Sequence, residues 1–178
     1  MKTKLIVALI AASAASFAQA QSYIGANVGR SEMKLSMDGI GSFKDTDNGV
    51  KLYGGYQFNP TFGVEAGYNN LGKGSILNDT VTAKPESVYL AGTAAFPIDQ
   101  KFSVFGKLGA ARTRTKINAG GDSFNEFHNT AVVGIGASYA FTKEISGVVE
   151  YENFGKIVKE SGDSLKANLI SVGVRYKF

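Results

Sequence analysis

Along residues 21–178, apolar side chains recur at every second position, and no stretch holds an apolar stripe at helical spacing. Period two marks strands with one apolar and one mainly polar face. Ile24, Ala26 and Val28 alternate with Tyr23, Gly25, Asn27 and Gly29, and Val50, Leu52, Tyr56 and Phe58 with Lys51, Tyr53, Gly55 and Gln57. Phe62, Val64, Ala66 and Tyr68 oppose Gly63, Glu65, Gly67 and Asn69, and Val88, Leu90, Ala94 and Phe96 oppose Ser87, Tyr89, Ala91 and Thr93. Four more segments repeat the scheme, centred on Phe102–Ala110, Ala131–Phe141, Ile145–Tyr151 and Ile170–Phe178. The pattern predicts eight strands.

Their connections alternate in length. Residues 31–48, 71–85, 113–127 and 154–164 are rich in Gly, Asn, Asp, Ser and Lys and read as long loops. Asn59-Pro60, Pro97-Ile98-Asp99-Gln100 and Thr142-Lys143 read as tight turns. Long loops at one end and short turns at the other are the asymmetry of membrane barrels. A sheet can cross lipid only if it closes and leaves no free edge. One phase here is aliphatic, with Tyr and Phe towards strand ends, and the other carries Gly, Ser, Thr, Asn and isolated charges. A lipid-facing apolar phase with aromatic girdles, around a polar interior, accounts for both. The expected fold is all-β: an eight-stranded antiparallel up-and-down transmembrane β-barrel.

Residues 1–20 stand apart from this pattern. Lys2 and Lys4 precede an apolar run from Leu5 to Ala12, and Ala18-Gln19-Ala20 supplies small residues at a cleavage site. The run is too short to span a membrane as a helix. Residues 1–20 are expected to be a signal peptide and residues 21–178 the barrel domain. Losing Lys2 and Lys4 would lower the net charge from +4 to +2.

Composition narrows the chemistry. The 178 residues include no cysteine and one histidine, which excludes disulfide scaffolds, zinc fingers, thiol nucleophiles and histidine-rich metal centres. No cofactor or metal is expected. A net charge of +2 spread around a barrel makes no focused basic patch, so nucleic acid is not an expected partner.

Gly54-Gly55-Tyr56-Gln57-Phe58-Asn59-Pro60 and Glu65-Ala66-Gly67-Tyr68-Asn69-Asn70-Leu71-Gly72 resemble the second and third strands of the OmpA-type transmembrane domain. Lys107-Leu108-Gly109-Ala110 resembles its fifth strand, and Ser171-Val172-Gly173-Val174-Arg175-Tyr176-Lys177-Phe178 its eighth. The resemblance covers the strands and not the loops. It implies the bacterial outer membrane, lipid and lipopolysaccharide as surroundings, and insertion by the barrel assembly machinery. Val172, Val174, Tyr176 and Phe178 resemble the family's terminal-strand sorting signal. The periplasmic domain of larger members is not expected, because the sequence stops at Phe178. In that family a buried ionic cluster is thought to gate the lumen. Its glutamate matches Glu65, whereas its other members align with Thr93, Ser138 and Val148.

Within the polar phase, Lys51, Glu65, Lys107, Glu150 and Arg175 form an expected lumen network. Charges in so narrow an interior must pair. Counting from the turns puts Glu65 with Arg175 near the periplasmic end, and Glu150 with Lys51 or Lys107 at mid-height. Arg112, Arg114 and Lys116 alternate at the outer end of strand five, where a cationic row could contact lipopolysaccharide phosphates. His128 begins strand six. Outer-membrane lipid A deacylases need a serine two residues on, and Thr130 stands there, so an enzyme is not expected. The expected role is structural, with surface loops that display contacts for host, phage or lipid. The alternatives are a narrow porin-like channel and a soluble periplasmic lipid-binding barrel.

Overall fold

The computed structural model describes residues 21–37, 41–76, 81–119, 122–160 and 163–178. The expected signal peptide lies outside them. Nine strand segments are present among these residues: β1 (Gln21–Met37), β2 (Gly41–Gln57), β3 (Phe62–Asn70), β4 (Gly74–Ile76), β5 (Val81–Pro97), β6 (Phe102–Ala119), β7 (Asp122–Ala140), β8 (Ile145–Glu160) and β9 (Asp163–Lys177). β3 and β4 both pair with β5, so they form one stave broken at residues 71–73. Each remaining strand pairs antiparallel with its neighbours in sequence, and β1 closes the ring on β9. The result is an eight-stave meander closed into a ring.

The apolar phase points away from the axis. Val133, Ile135 and Val172 are 51%, 66% and 56% exposed, whereas Lys51 and Glu65 are 0% and 1% exposed. A soluble barrel hides its apolar residues inside, so the direction of the two faces excludes that alternative. Tyr56–Phe58, Tyr139–Phe141 and Tyr176–Phe178 pack edge to face on the outer surface beside the short turns, with centroids 5.5, 5.5 and 5.2 Å apart. Tyr68 and Tyr151 face outward nearer the other end. Between these two levels the surface is aliphatic.

The segments read as long loops are mostly strand. β1 and β2 remain paired as far as Met37↔Gly41, β6 and β7 as far as Ala119↔Asp122, and β8 and β9 as far as Glu160↔Asp163. Alternation of apolar residues reports only where one face meets lipid. Ladder hydrogen bonds need no such pattern once the strands leave the bilayer, so polar composition hid the extensions. A stave needs about 9–11 residues to cross the hydrocarbon, and β7 has 19.

The three short turns share one construction. Asn59 Oδ1 accepts the N–H groups of Thr61 and Phe62 at 2.9 and 2.7 Å, and Thr142 Oγ1 accepts those of Glu144 and Ile145 at 3.2 and 3.0 Å. Asp99 Oδ1 accepts the N–H groups of Lys101 and Phe102, both at 2.7 Å. Those two donors hold the Asp99 carboxyl below its ordinary range. Because the folded state favours the ionised form, this contribution to stability is complete at neutral pH and disappears as pH falls through the folded value. In an NMR titration the Lys101 and Phe102 amide shifts should move together with a midpoint below 3.8, the ordinary value of the free side chain. A midpoint at or above that value would contradict the cap.

Candidate functional site

The interior is layered. At the short-turn end a vestibule of about 620 Å³ opens between Gln57, Ser103, Ser138 and Lys177, and its lining reaches Phe105 and Arg175. Arg175 lies among three aromatic rings, its guanidinium 4.5 Å from the centroid of Tyr23, 5.0 Å from Phe105 and 5.4 Å from Tyr53. These rings face inward because Tyr23, Tyr53 and Phe105 occupy the polar phase of their strands. Two of them fit because glycine stands opposite: a Cβ on Gly25 would lie 2.3 Å from the Tyr53 ring, and one on Gly55 would lie 2.2 Å from Tyr23.

Beyond Arg175 comes a closed ionic cluster. Glu65 Oε2 lies 3.7 Å from Arg175 Nη2 and accepts the Tyr23 hydroxyl at 3.0 Å. Its Oε1 accepts the Tyr89 hydroxyl at 2.6 Å and lies 3.2 Å from Lys107 Nζ and 3.4 Å from Lys51 Nζ. Lys51 also pairs with Glu150 and, at 3.3 Å, with Glu152. Lys107 pairs with Glu152 and, at 2.7 Å, with Glu150. Three cations therefore face three carboxylates, and the cluster is neutral.

Counting from the turns separates these charges into two layers. The structure joins them, because Lys51 and Lys107 each reach Glu65 as well as Glu150. It also adds Glu152, which shares the inward phase of β8 with Glu150 and is not among the five expected network residues. Heights counted from the turns fail because the strands of a barrel are tilted and staggered. Thr93, Ser138 and Val148, the positions aligned with the rest of the family's gate, carry no charge.

A third layer is mainly hydrocarbon, with the buried hydroxyls of Ser31 and Thr115 at the same height. Leu71, Val132, Phe154 and Leu169 are fully buried and cluster with Met33, Ala167 and the Tyr89 ring. Along their strands they lie outward of the ionic cluster: Phe154 follows Glu152 in the inward phase of β8, and Leu71 follows Asn69 at the end of β3. Two matching corners deliver the largest pieces. Asn70-Leu71-Gly72-Lys73 interrupts the third stave, and Asn153-Phe154-Gly155-Lys156 bulges the seventh, which lies opposite in a ring of eight. Gly72 and Gly155 have φ of +81° and +63°, a left-handed conformation suited to glycine. Their N–H groups donate to Asn70 Oδ1 and Asn153 Oδ1 at 3.0 and 2.9 Å. Sequence reasoning put Met33, Leu71 and Phe154 in loops and missed this layer. The repeated Asn-apolar-Gly-Lys was the available signal.

The remaining candidates are dispersed. Arg112, Arg114 and Lys116 share the outward phase of β6. Arg112 lies 5.3 Å from the Phe127 ring centroid, and Arg114 Nε donates to Asn125 Oδ1 at 3.2 Å. His128 shares the inward face of β7 with Glu126, but its Nδ1 has no hydrogen-bond partner to orient the ring. Val172, Val174, Tyr176 and Phe178 line the outward face of the last stave. The Phe178 N–H donates to the Ser22 carbonyl at 2.9 Å.

Known proteins agree with this architecture. The family described as outer membrane protein beta-barrel domain matches residues 5–178. The chain is 32% identical to outer membrane protein A of Salmonella typhi, covering 99% of this chain and 55% of that protein. It is 34% identical to the protein of the same name from Yersinia pseudotuberculosis, covering 73% of this chain and 40% of that one. The chain thus spans about half the length of the curated relatives it matches. Among solved structures it is similar to Neisserial surface protein A, with a TM-score of 0.68 and 21% identity over 88% of this chain and 97% of the other. It is also similar to Ail, the attachment invasion locus protein of Yersinia pestis, with a TM-score of 0.57 and 18% identity over 88% and 99%. With its closed eight-stave ring and lipid-facing apolar surface, the chain belongs to the outer membrane protein β-barrel domain family and is a protein of the bacterial outer membrane.

Proposed function

We propose that this chain is a sealed, non-enzymatic barrel that supports the outer membrane and carries four long hairpins beyond it as contact surfaces. The observation behind this reading is the stacking of two unlike closures: a neutral six-charge cluster and, outward of it, the hydrocarbon plug of Leu71, Val132, Phe154 and Leu169. An ion crossing the lumen would have to displace paired charges and then pass a mainly apolar layer, and both steps are costly. A porin-like role requires a wetted path, and the two stacked layers weigh against one.

The extended hairpins support display. Their strands run well past the hydrocarbon thickness, and ladder hydrogen bonds hold them in a defined register. The Arg112, Arg114 and Lys116 row, on the outward face near that end, fits phosphates of lipopolysaccharide as a secondary contact. Val172, Val174, Tyr176 and Phe178 present an exposed alternating face suited to recognition by the barrel assembly machinery. Liposome swelling in small sugars tests the sealed reading. Vesicles carrying the wild-type chain should swell no faster than empty vesicles, and faster swelling would favour the narrow channel.

A further inference from the structure

The vestibule at the short-turn end carries a positive charge that the ionic cluster does not balance. Arg175, at its inner end, is the most loosely paired of the three cluster cations. Glu65 Oε2 stands 3.7 Å from its Nη2, beyond hydrogen-bond distance, and the buried Nε has no hydrogen-bond partner. Lys177 follows in the same inward phase of β9, at the mouth of the vestibule. Its backbone N–H donates to the Glu144 carbonyl at 2.8 Å, which fixes that position. No Asp or Glu side chain stands among the described lining residues, and Lys177 pairs with no carboxylate among the described residues. The six-charge cluster is neutral by itself, so Lys177 leaves the vestibule with one positive charge in excess.

The wall across from these cations is apolar. β9 is the eighth stave and β5 the fourth, so the two face each other across the ring. Ala95 and Pro97, in the inward phase of β5, line that side together with Phe105 of the neighbouring β6. The Phe105 ring lies against the wall because Gly136 stands in register with it: a Cβ there would come 2.5 Å from the ring. Ser103 and Ser138, also in register, place hydroxyl groups between the apolar side and the cations. The volume of about 620 Å³ falls within the range of roughly 300–1,000 Å³ usual for small-molecule sites.

We infer that the vestibule seats an amphipathic monocarboxylate from the periplasmic side, its carboxylate between Arg175 and Lys177 and its apolar body against Ala95, Pro97 and Phe105. The planar donors of a guanidinium match a carboxylate, and such charge-assisted bonds are about twice as strong as neutral ones. One excess positive charge is balanced by one carboxylate, whereas a phosphate monoester carries about −1.5 to −2 at neutral pH. The site needs the ionic cluster as its floor and not the apolar layer beyond it, so conductance and carboxylate binding can fail independently.

The test is an NMR titration of the full chain in non-ionic detergent micelles, reading the Arg175 Nε–Hε cross-peak and the Ser138 amide. Sodium benzoate should move both along a saturating curve. Benzamide, its uncharged analogue, should leave them in place. Lys177→Gln should raise the half-saturating benzoate concentration roughly tenfold, the equivalent of about 1.4 kcal/mol. Ala95→Phe, which fills the apolar side and keeps both cations, should raise it as well. Heat-modifiable migration on detergent gels confirms that each variant is folded. N-acetylphenylalanine stands for the end of a peptide chain: saturation of the same peaks supports the site with either acid, and the tighter of the two assigns its source. Benzamide matching benzoate, or wild-type affinity in Lys177→Gln, would overturn the proposal. So would inorganic phosphate saturating the site at a lower concentration than benzoate.

Discussion

Glu65→Ala should destabilise the folded barrel by about 3–5 kcal/mol without opening it, because removing one member of a buried ion cluster strands the others. Glu65 accepts two tyrosine hydroxyls and lies within 3.7 Å of three cations. Its loss leaves Lys51, Lys107 and Arg175 facing only Glu150 and Glu152, an excess of one positive charge in a space without bulk water. Glu65→Gln keeps the shape and an oxygen acceptor but carries the same charge excess, so it should recover only part of the loss. Arg175→Ala combined with Glu65→Ala restores neutrality and should cost less than the sum of the single changes. Urea unfolding in detergent micelles, followed by loss of the heat-modifiable band, measures all four. A Glu65→Ala variant within about 1 kcal/mol of wild type would mean that the cluster is wetter than its burial indicates.

The second large effect belongs to the hydrocarbon layer. Phe154→Ala should cost about 3–5 kcal/mol and Leu71→Ala about 2–5 kcal/mol, the range for emptying a fully buried apolar site. Phe154→Leu, which keeps most of the volume, should cost less than about 1.5 kcal/mol. The corners predict a separate sensitivity. Gly155→Ala leaves Phe154 in place but puts a Cβ on a residue with φ of +63°, at a cost of about 1–2 kcal/mol. Gly72→Ala should behave similarly, since φ there is +81°. If Phe154→Ala were as mild as Phe154→Leu, the residue would not be packed as described.

How much of this was legible beforehand depended on which force fixed each feature. Lipid imposes a one-sided apolar pattern that sorts Val133, Ile135 and Val172 onto one face and Lys51 and Glu65 onto the other, but which face points outward follows only when the signal peptide and the loop asymmetry are added. Hairpin length could not be read, because ladder hydrogen bonds extend β6 and β7 through Arg114, Lys116 and Asn125 without any apolar alternation to mark them. The partners within the cluster depended on stagger between strands. Glu152 reaches Lys51 and Lys107 across the lumen, and no count of residues from a turn supplies that geometry. Leu71 and Phe154 were hidden by their polar neighbours, since Asn, Gly and Lys around a single apolar residue read as a surface loop. Only the return of the same four-residue pattern on opposite staves gives them away.

Two independent layers close the lumen, and single-channel recording in planar bilayers reads that closure. Wild type, Glu65→Ala and Leu71→Ser/Phe154→Ser should each stay silent, because one layer remains in every case. The variant that combines all three substitutions should show discrete openings. Steady current through the wild type, unchanged when Leu71 and Phe154 become serine, would show that ions take a path neither layer blocks.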